Sequence, residues 1–382
     1  MTKPTVAVLK TSPERVVNDY GRLMQLAEYD NFLNKSQDTI VKLNLSWTKY
    51  FPACSSQPWQ VEGVLRTLLQ DGFRREKLFP LENKTVVTNP RKGARNNLWL
   101  PVLERCGLPF IPLPEVEWTV YRFKSPLLKL NQIFPEGIQI PKLYPGKQIV
   151  HLPTVKTHGH SMTTGAIKNS FGGLLKEVRH YAHKYMHEVL VDLLYMQKEL
   201  HPGIFAVMDG TVCGDGAGPR TMLPKVKNYI LASADQVAID ATAARMMGFD
   251  PLSIPYLRMA HERELGVADP AHIRVVGEDI SGVNFGFKME RSFVSWGDQM
   301  IRKGLLRPFE RILLHSPLVA WAPMASNLYH DCFWYPIVGQ ARIREFRKTP
   351  WGKLWENYKQ SASAGGLAAE AAGSGTQFAP PA

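Results

Sequence analysis

The 382-residue chain has no Cys-x-x-Cys pair, and its four cysteines (Cys54, Cys106, Cys213 and Cys332) are scattered. That spacing excludes a disulfide framework, a zinc ribbon and an iron–sulfur cluster held by this chain. The cysteines read as reduced, mostly buried thiols of an intracellular protein. Long apolar runs are missing too: none reaches the roughly 18–20 residues that span a bilayer. The opening MTKPTVAVLK passes straight into apolar alternation and lacks the apolar core of a secretory signal. The expected location is the cytoplasm. No Gly-Lys-Ser/Thr closes a Walker A loop, no G-x-G-x-x-G marks a dinucleotide site, and no internal repeat is apparent. With 45% apolar and 21% charged residues, wholesale disorder is excluded.

An excess of basic residues is present. Lys and Arg number 46 against 34 Asp and Glu, a formal charge of +12. This favours acidic partners: a phosphorylated or carboxylate substrate, an anionic membrane face or nucleic acid.

Short apolar runs alternate with helical patterns over the first two-thirds of the chain. Strands are expected at Val6–Lys10, Thr39–Leu45, Thr85–Thr88, Gln148–Pro153, Ile204–Met208, Tyr229–Ala232 and Ile273–Val276. Helices are expected at Arg15–Leu33, Trp59–Asp71, Leu98–Cys106, Val178–Glu199 and Ala234–Met247. The alternation predicts an α/β fold, mostly parallel sheets flanked by helices. Four segments follow: an N-terminal α/β part (1–145), a second α/β part (146–284), a basic aromatic extension (285–358) and a disordered tail (359–382). The Pro-richer stretch 109–147 is expected to wander over the sheet edge. Within the extension, Leu305–Trp321 is the best interfacial membrane helix. A membrane surface is the favoured partner there and nucleic acid the weaker one, while aromatic packing onto the main domain is the simpler alternative.

Chemistry concentrates between residues 151 and 201, which hold seven of the eleven histidines. Lys156, His158 and His160 fall after a strand's carboxyl end, the edge where open α/β sheets bind ligands. Thr164, Lys168 and Asn169 follow, a hydroxyl, a point cation and an amide suited to an anion. His180, His183 and His187 would share one helix face and could hold a transition metal with His158. Asp209 ends a strand and leads into a glycine-rich loop in which Gly216 and Gly218 could bring backbone amides to a ligand. Asn44 leaves another strand on the same edge, as Thr88-Asn89 does on a third. Asp240 falls inside a helix, where burial or an ion pair is the default.

The ordered blocks Lys156-Thr-His158, Thr164-Gly-Ala-Ile-Lys168-Asn169-x-x-Gly172, Asp209-Gly210, Gly216-x-Gly218-Pro219, Ser233-x-Asp235-x-x-Ala238-x-Asp240 and Met247-Gly248-Phe249-Asp250 resemble domain-of-unknown-function family 362 over about residues 5–280. The resemblance implies an α/β protein of unsettled activity. Many members carry a ferredoxin-like cysteine module, so electron transfer here would need a separate ferredoxin. The ten-residue step from His158 to Lys168 also resembles nickel-pincer lactate racemases, in which a lysine tethers the cofactor. That likeness implies a metal-containing cofactor on Lys168 and a ligand or acid/base role for His158. The racemases' early His-Arg pair is replaced by Leu45-Ser46, so lactate racemisation itself is not implied.

The residues together predict an enzyme acting on a small anionic or carbonyl-containing substrate. Lys168 and Lys156 anchor charge, His158 transfers protons, and Asp209 orients a histidine or holds a metal. Thr164, Asn169, Asn44, Gly216 and Gly218 line the substrate. The competing readings are a redox accessory protein and a peripheral membrane or nucleic-acid binder.

Overall fold

Side-chain alternation along the strands builds the central layer. In β1 (Thr5–Lys10), Val6 and Val8 enter one core while Ala7 and Leu9 enter the other. β2 (Thr39–Lys42) divides Ile40 from Val41 in the same way, and β7 (Gln148–His151) divides Ile149 from Val150. A strand apolar on both sides must be covered on both sides, and the computed structural model of the protein is accordingly a helix–sheet–helix sandwich. It describes residues 3–85, 88–176, 182–290 and 321–372, and between 291 and 320 only 297, 300, 301 and 304.

The remaining strands of the ten-stranded sheet are β3 (Leu78–Glu82), β4 (Ile111–Pro112), β8 (Thr154–His158), β9 (Met162–Thr163), β10 (Ile204–Ala217), β11 (Thr221–Ser233) and β12 (Arg274–Gly277). The order is β12-β1-β11-β10-β7-β2-β3-β4, and β8 pairs with β10 and β9. From β10 to β4 the pairings are parallel, whereas β1–β11, β10–β11 and β8–β9 are antiparallel. β5 (Trp118–Tyr121) and β6 (Ile138–Pro141) make a separate hairpin within the Pro-richer stretch. The sheet interleaves strands from both sides of residue 146, so the two α/β parts expected from the chain order share one sheet.

One core lies beneath α6 (Gly165–Leu174), α7 (Met186–Leu200), α8 (Gln236–Met247) and α9 (Pro255–Glu262), with the short α5 (Leu130–Ile133) at its margin. The other lies beneath α1 (Val16–Leu26), α2 (Pro58–Gln70), α3 (Pro90–Asn96) and α4 (Trp99–Arg105). The basic aromatic extension closes this second core: α10 (Trp321–Asn327), a π-helical stretch Leu328–Gly339, α11 (Gln340–Arg347) and α12 (Pro350–Ala372) bring in Trp334, Ile343, Phe346, Trp351 and Trp355. Aromatic packing onto the main domain thus describes this end of the chain.

Three expectations need correction. Of Thr85–Thr88 only the two ends are among the described residues, joined where Thr88 Oγ1 accepts from Thr85 N at 2.8 Å; the strand is Leu78–Glu82, obscured in the sequence by Pro80. β4 reaches only Leu81 and Glu82, so the proline's missing donor is not needed on that flank. The glycines after Asp209 are not a loop but β10 itself, paired with β11 as far as Ala217. A Cβ on Gly214 would lie 2.3 Å from Met222 Sδ, and one on Gly218 would lie 1.8 Å from the Thr157 carbonyl. These glycines answer to close neighbours rather than to turns. Residues 359–372 continue α12, as their alanine content favours. Positions 305–320, which hold nearly all of the expected interfacial helix, lie outside the described residues.

Trp351 is 1% exposed, sits 5.3 Å from Trp59 between ring centroids and donates Nε1–H to Asn228 Oδ1 at 2.7 Å. Trp351→Ala is expected to cost about 3–5 kcal/mol, read as a lower urea midpoint. An unchanged midpoint would show that the extension adds nothing to the core.

Candidate site at the carboxyl edge of the sheet

Three strands end in buried polar residues. Lys42 at the end of β2 pairs with Glu82 at the end of β3 (2.7 Å, both side chains under 5% exposed) and donates to the Leu43 carbonyl at 2.6 Å. His151 ends β7 and meets Gln197 Oε1 at 2.6 Å through Nε2. An amide oxygen only accepts, so Nε2 carries the proton, and Nδ1 faces the Asn169 amide at 3.4 Å. Burial pushes the His151 proton affinity down to about 3, with the Lys42 charge adding to it. Asn169 also donates to the Lys42 carbonyl at 3.1 Å. Asn169 is therefore committed to this polar floor, and its expected contact with substrate gives way to a positioning role.

α6 rises from the floor, and its N-terminus is already occupied. Asp240 of α8 accepts from Ala166 N at 2.5 Å and from Ile167 N at 3.1 Å, so this helix end is filled by the protein's own carboxyl group, which burial pushes up to about 8. Gly165 has φ +66°, and a Cβ there would lie 2.3 Å from the Asp240 carboxyl group. Glycine is demanded twice over. Thr164 Oγ1 is buried without a hydrogen-bond partner among the described residues, an unmet polar group beside the strand that carries Lys156.

His158 ends β8 and is 5% exposed. Burial lowers its proton affinity well below the usual value, and Lys168, His160, His183 and Lys156 lower it further. The ring is neutral. Its Nδ1 accepts from His160 N at 3.2 Å, which leaves the proton on Nε2 and makes the other side of the ring a donor. His160 lies 5.8 Å from His158 and 5.6 Å from His183 between ring centroids. Lys168 Nζ lies over the Phe171 ring at 5.4 Å.

Lys156, one of the largest fully buried side chains, donates to the Cys54 carbonyl at 2.6 Å and to Thr154 Oγ1 at 2.9 Å. Asn44 donates to the same hydroxyl at 3.3 Å, so Thr154 joins Asn44 to Lys156. Burial pulls the Lys156 proton affinity down to about 8. Asn89 does not join them: it caps α3 by accepting from Lys92 N at 2.9 Å. Gly216 and Gly218 face Thr157, whose hydroxyl donates to the Gly216 carbonyl at 2.8 Å. They seat the β10–β11 hairpin on β8.

Asp209 is placed elsewhere. It is fully buried, and its carboxylate accepts from Tyr20 Oη at 2.7 Å, Trp59 Nε1 at 3.0 Å and Thr211 Oγ1 at 2.9 Å. Tyr20 and Trp59, on α1 and α2, lie on the face of the sheet opposite α6, so Asp209 does not orient His158. Among the described residues, His183 and His187 do not share an α-helix either. α7 begins only at Met186, with His183 before it facing Phe171 and His187 stacked on Tyr256; His180 lies outside the described residues. Among the described residues no group of three His, Cys, Asp or Glu side chains is arranged to hold a metal ion. Lys42, Glu82, Gln197 and Arg220 were not anticipated as part of this edge. A lysine at a strand's carboxyl end was the one available hint, for Lys42.

Residues 39–245, more than half of the chain, match the family described as Domain of unknown function (DUF362). The chain belongs to that family. A thylakoid-associated protein of Synechocystis sp. (strain ATCC 27184 / PCC 6803 / Kazusa) is 23% identical over 254 residues, 64% of this chain and 73% of that protein. No solved structure matches. The likeness of the His158–Lys168 spacing to lactate racemases is not shown by these comparisons. The family blocks quoted from the sequence now have places: Lys156 to Gly172 forms the site's wall, and Asp240 fixes α6.

The neutral His151 makes the floor acid-sensitive. The unfolded chain binds a proton near pH 6.5 and the folded one only near pH 3, so stability falls as pH drops from about 6.5, by up to roughly 1.4 kcal/mol per pH unit. Urea unfolding of His151→Gln between pH 7 and pH 4.5 is expected to show a slope smaller by about one proton. An equal slope would remove His151 as a source of the sensitivity.

Proposed function

We propose that the protein is an enzyme that acts on a small anionic or carbonyl-containing substrate at the carboxyl edge of its sheet. The observation that carries this reading is the neutral His158 beside Lys168, with Nδ1 engaged by the His160 amide and Nε2–H left as donor. A neutral imidazole N–H in a buried site stabilises negative charge developing on a carbonyl oxygen without first giving up a proton. Lys168 anchors the substrate's negative charge. Lys156, its proton affinity lowered by burial to about 8, keeps its charge at neutral pH and adds a second cation near His158. Thr164 Oγ1 supplies a hydroxyl to the ligand.

Such chemistry labilises the hydrogen next to a carbonyl. Small 2-oxo and 2-hydroxy acids incubated with the protein in D2O are expected to gain deuterium at that carbon, followed by NMR. His158→Gln should slow the exchange by about 100-fold or more, and Lys168→Ala should raise KM. Exchange at wild-type rates in both variants would reject these roles.

A second reading, peripheral membrane association, is favoured by one surface and one relative. Met324, Leu328, Phe333 and Ile337 are 69%, 64%, 60% and 59% exposed and recur at steps of four, five and four residues along α10 and the π-helical stretch. Leu328, Phe333 and Ile337 follow the wider turn of a π-helix, so the four form one apolar stripe. Among the described residues no helix is long and apolar enough to cross a membrane, so the stripe would lie in the interface, in keeping with the thylakoid association of the Synechocystis protein. Phe333→Ser with Ile337→Ser is expected to lower co-sedimentation with phosphatidylglycerol vesicles at least tenfold. Equal binding of the double variant would dismiss the stripe.

A further inference from the structure

Among the described residues, cations withdrawn from solvent fall into two groups; Lys42 and Lys156 are fully buried, and Arg220 is half-buried with its Nη1 inside. Lys42 has Glu82 at 2.7 Å. Lys156 and Arg220 have no such carboxylate among the described residues. The three hydrogens of Lys156 meet only a carbonyl and a hydroxyl there. Arg220, just beyond the β10 strand, donates Nη2–H to Ser326 Oγ at 2.9 Å, while its Nη1 is buried with no partner among the described residues. Asp331 acts on Arg220 at longer range but accepts the Trp47 Nε1–H at 2.6 Å. An uncompensated guanidinium is costly to bury, and burial alone pulls the Arg220 proton affinity down to about 10.

The two cations meet around one residue. Lys156 reaches the Cys54 carbonyl, while the Cys54 thiol lies 3.1 Å from the carbonyl of Pro219, the residue before Arg220. The thiol cannot serve as their counter-ion, because burial pushes it up to about 11. The extension forms the far wall: Ser326 and His330 lie against Arg220, Lys49 donates to the Asp331 carbonyl at 3.0 Å, and Tyr335 donates to the Tyr50 carbonyl at 2.9 Å.

We propose that Arg220 and Lys156 together bind an oxyanion group, carboxylate or phosphate, in a pocket at Cys54 walled by the helix that carries Ser326 and His330. The proposal rests on the reading above and deepens it by giving the substrate a second anionic group, held at Arg220 and Lys156, while Lys168 holds the charge beside His158. Arg220 offers a planar fork and Lys156 a point charge, a pairing suited to a group with two or three oxygens.

The test measures binding and is independent of turnover. The full chain is titrated with malonate and with inorganic phosphate by calorimetry, in wild type, Arg220→Gln and Arg220→Lys. Saturable binding of at least one probe is expected, weakened at least tenfold in Arg220→Gln and less in Arg220→Lys. Malonate alone would assign a carboxylate, and phosphate alone a phosphoryl group. If Arg220→Gln does not fold, the wild type decides: affinity should fall as pH rises above about 8, where Lys156, facing Cys54, Thr154, His158 and more distantly Glu82, loses its charge. No binding of either probe, equal binding by Arg220→Gln, or affinity level from pH 7.5 to pH 9.5 would each overturn the proposal. Binding without deuterium exchange would leave the pocket standing and reject only the chemistry assigned to His158.

Discussion

The contact between Asp240 and the first turn of α6 fixes the site. A buried carboxyl group is costly when its oxygens go unmatched, yet here they meet two backbone N–H groups that a helix start leaves without partners. The helix is thereby locked to α8, and with it go Lys168 toward His158 and Asn169 toward the floor. Gly165 is the steric counterpart of the same contact, since any side chain there would displace the carboxyl group. One interaction thus dictates a glycine, a helix start and the placement of the cation beside His158.

The edge contains charge treated in two ways. Lys42 and Glu82 neutralise each other, and with His151, Gln197 and Asn169 they form a connected network in which hydrogens and lone pairs are matched. Such a network stiffens what it supports. Above it, Lys156, Arg220 and Thr164 retain polar atoms that the described residues do not match. The contrast between a satisfied floor and an unsatisfied wall sets this edge apart from the opposite face, where Asp209 is bonded from several sides into the packing of α1 and α2.

Much of the fold was legible because strand and helix periods are local. Val6–Lys10, Gln148–His151 and Trp59–Gln70 announce themselves by spacing alone. Where tertiary contact overrides local chemistry, the sequence misleads. The glycines of β10 resemble a loop until Met222 and Thr157 are seen against them, and Pro80 resembles a break until β3 is seen to lie half open beside it. The grouping was legible in part: Lys156, His158 and Lys168 are neighbours, but Lys156 and His158 lie in β8 rather than in a loop after Pro153, because pairing with β10 extends the chain there. Asp209 was misassigned because a sequence does not reveal which face of a sheet a residue occupies. Arg220 was overlooked because its lack of a partner exists only in three dimensions.

The pairing of β1 carries a consequence for synthesis. Its neighbours are residues 229–232 of β11 and residues 274–277 of β12, so during synthesis β1 has no partner until β11 has followed it. Contacts this distant in sequence slow folding and leave an apolar edge unpaired in the meantime. In that interval the apolar side chains of Val6, Val8 and Leu9 are a surface on which a chaperone would act.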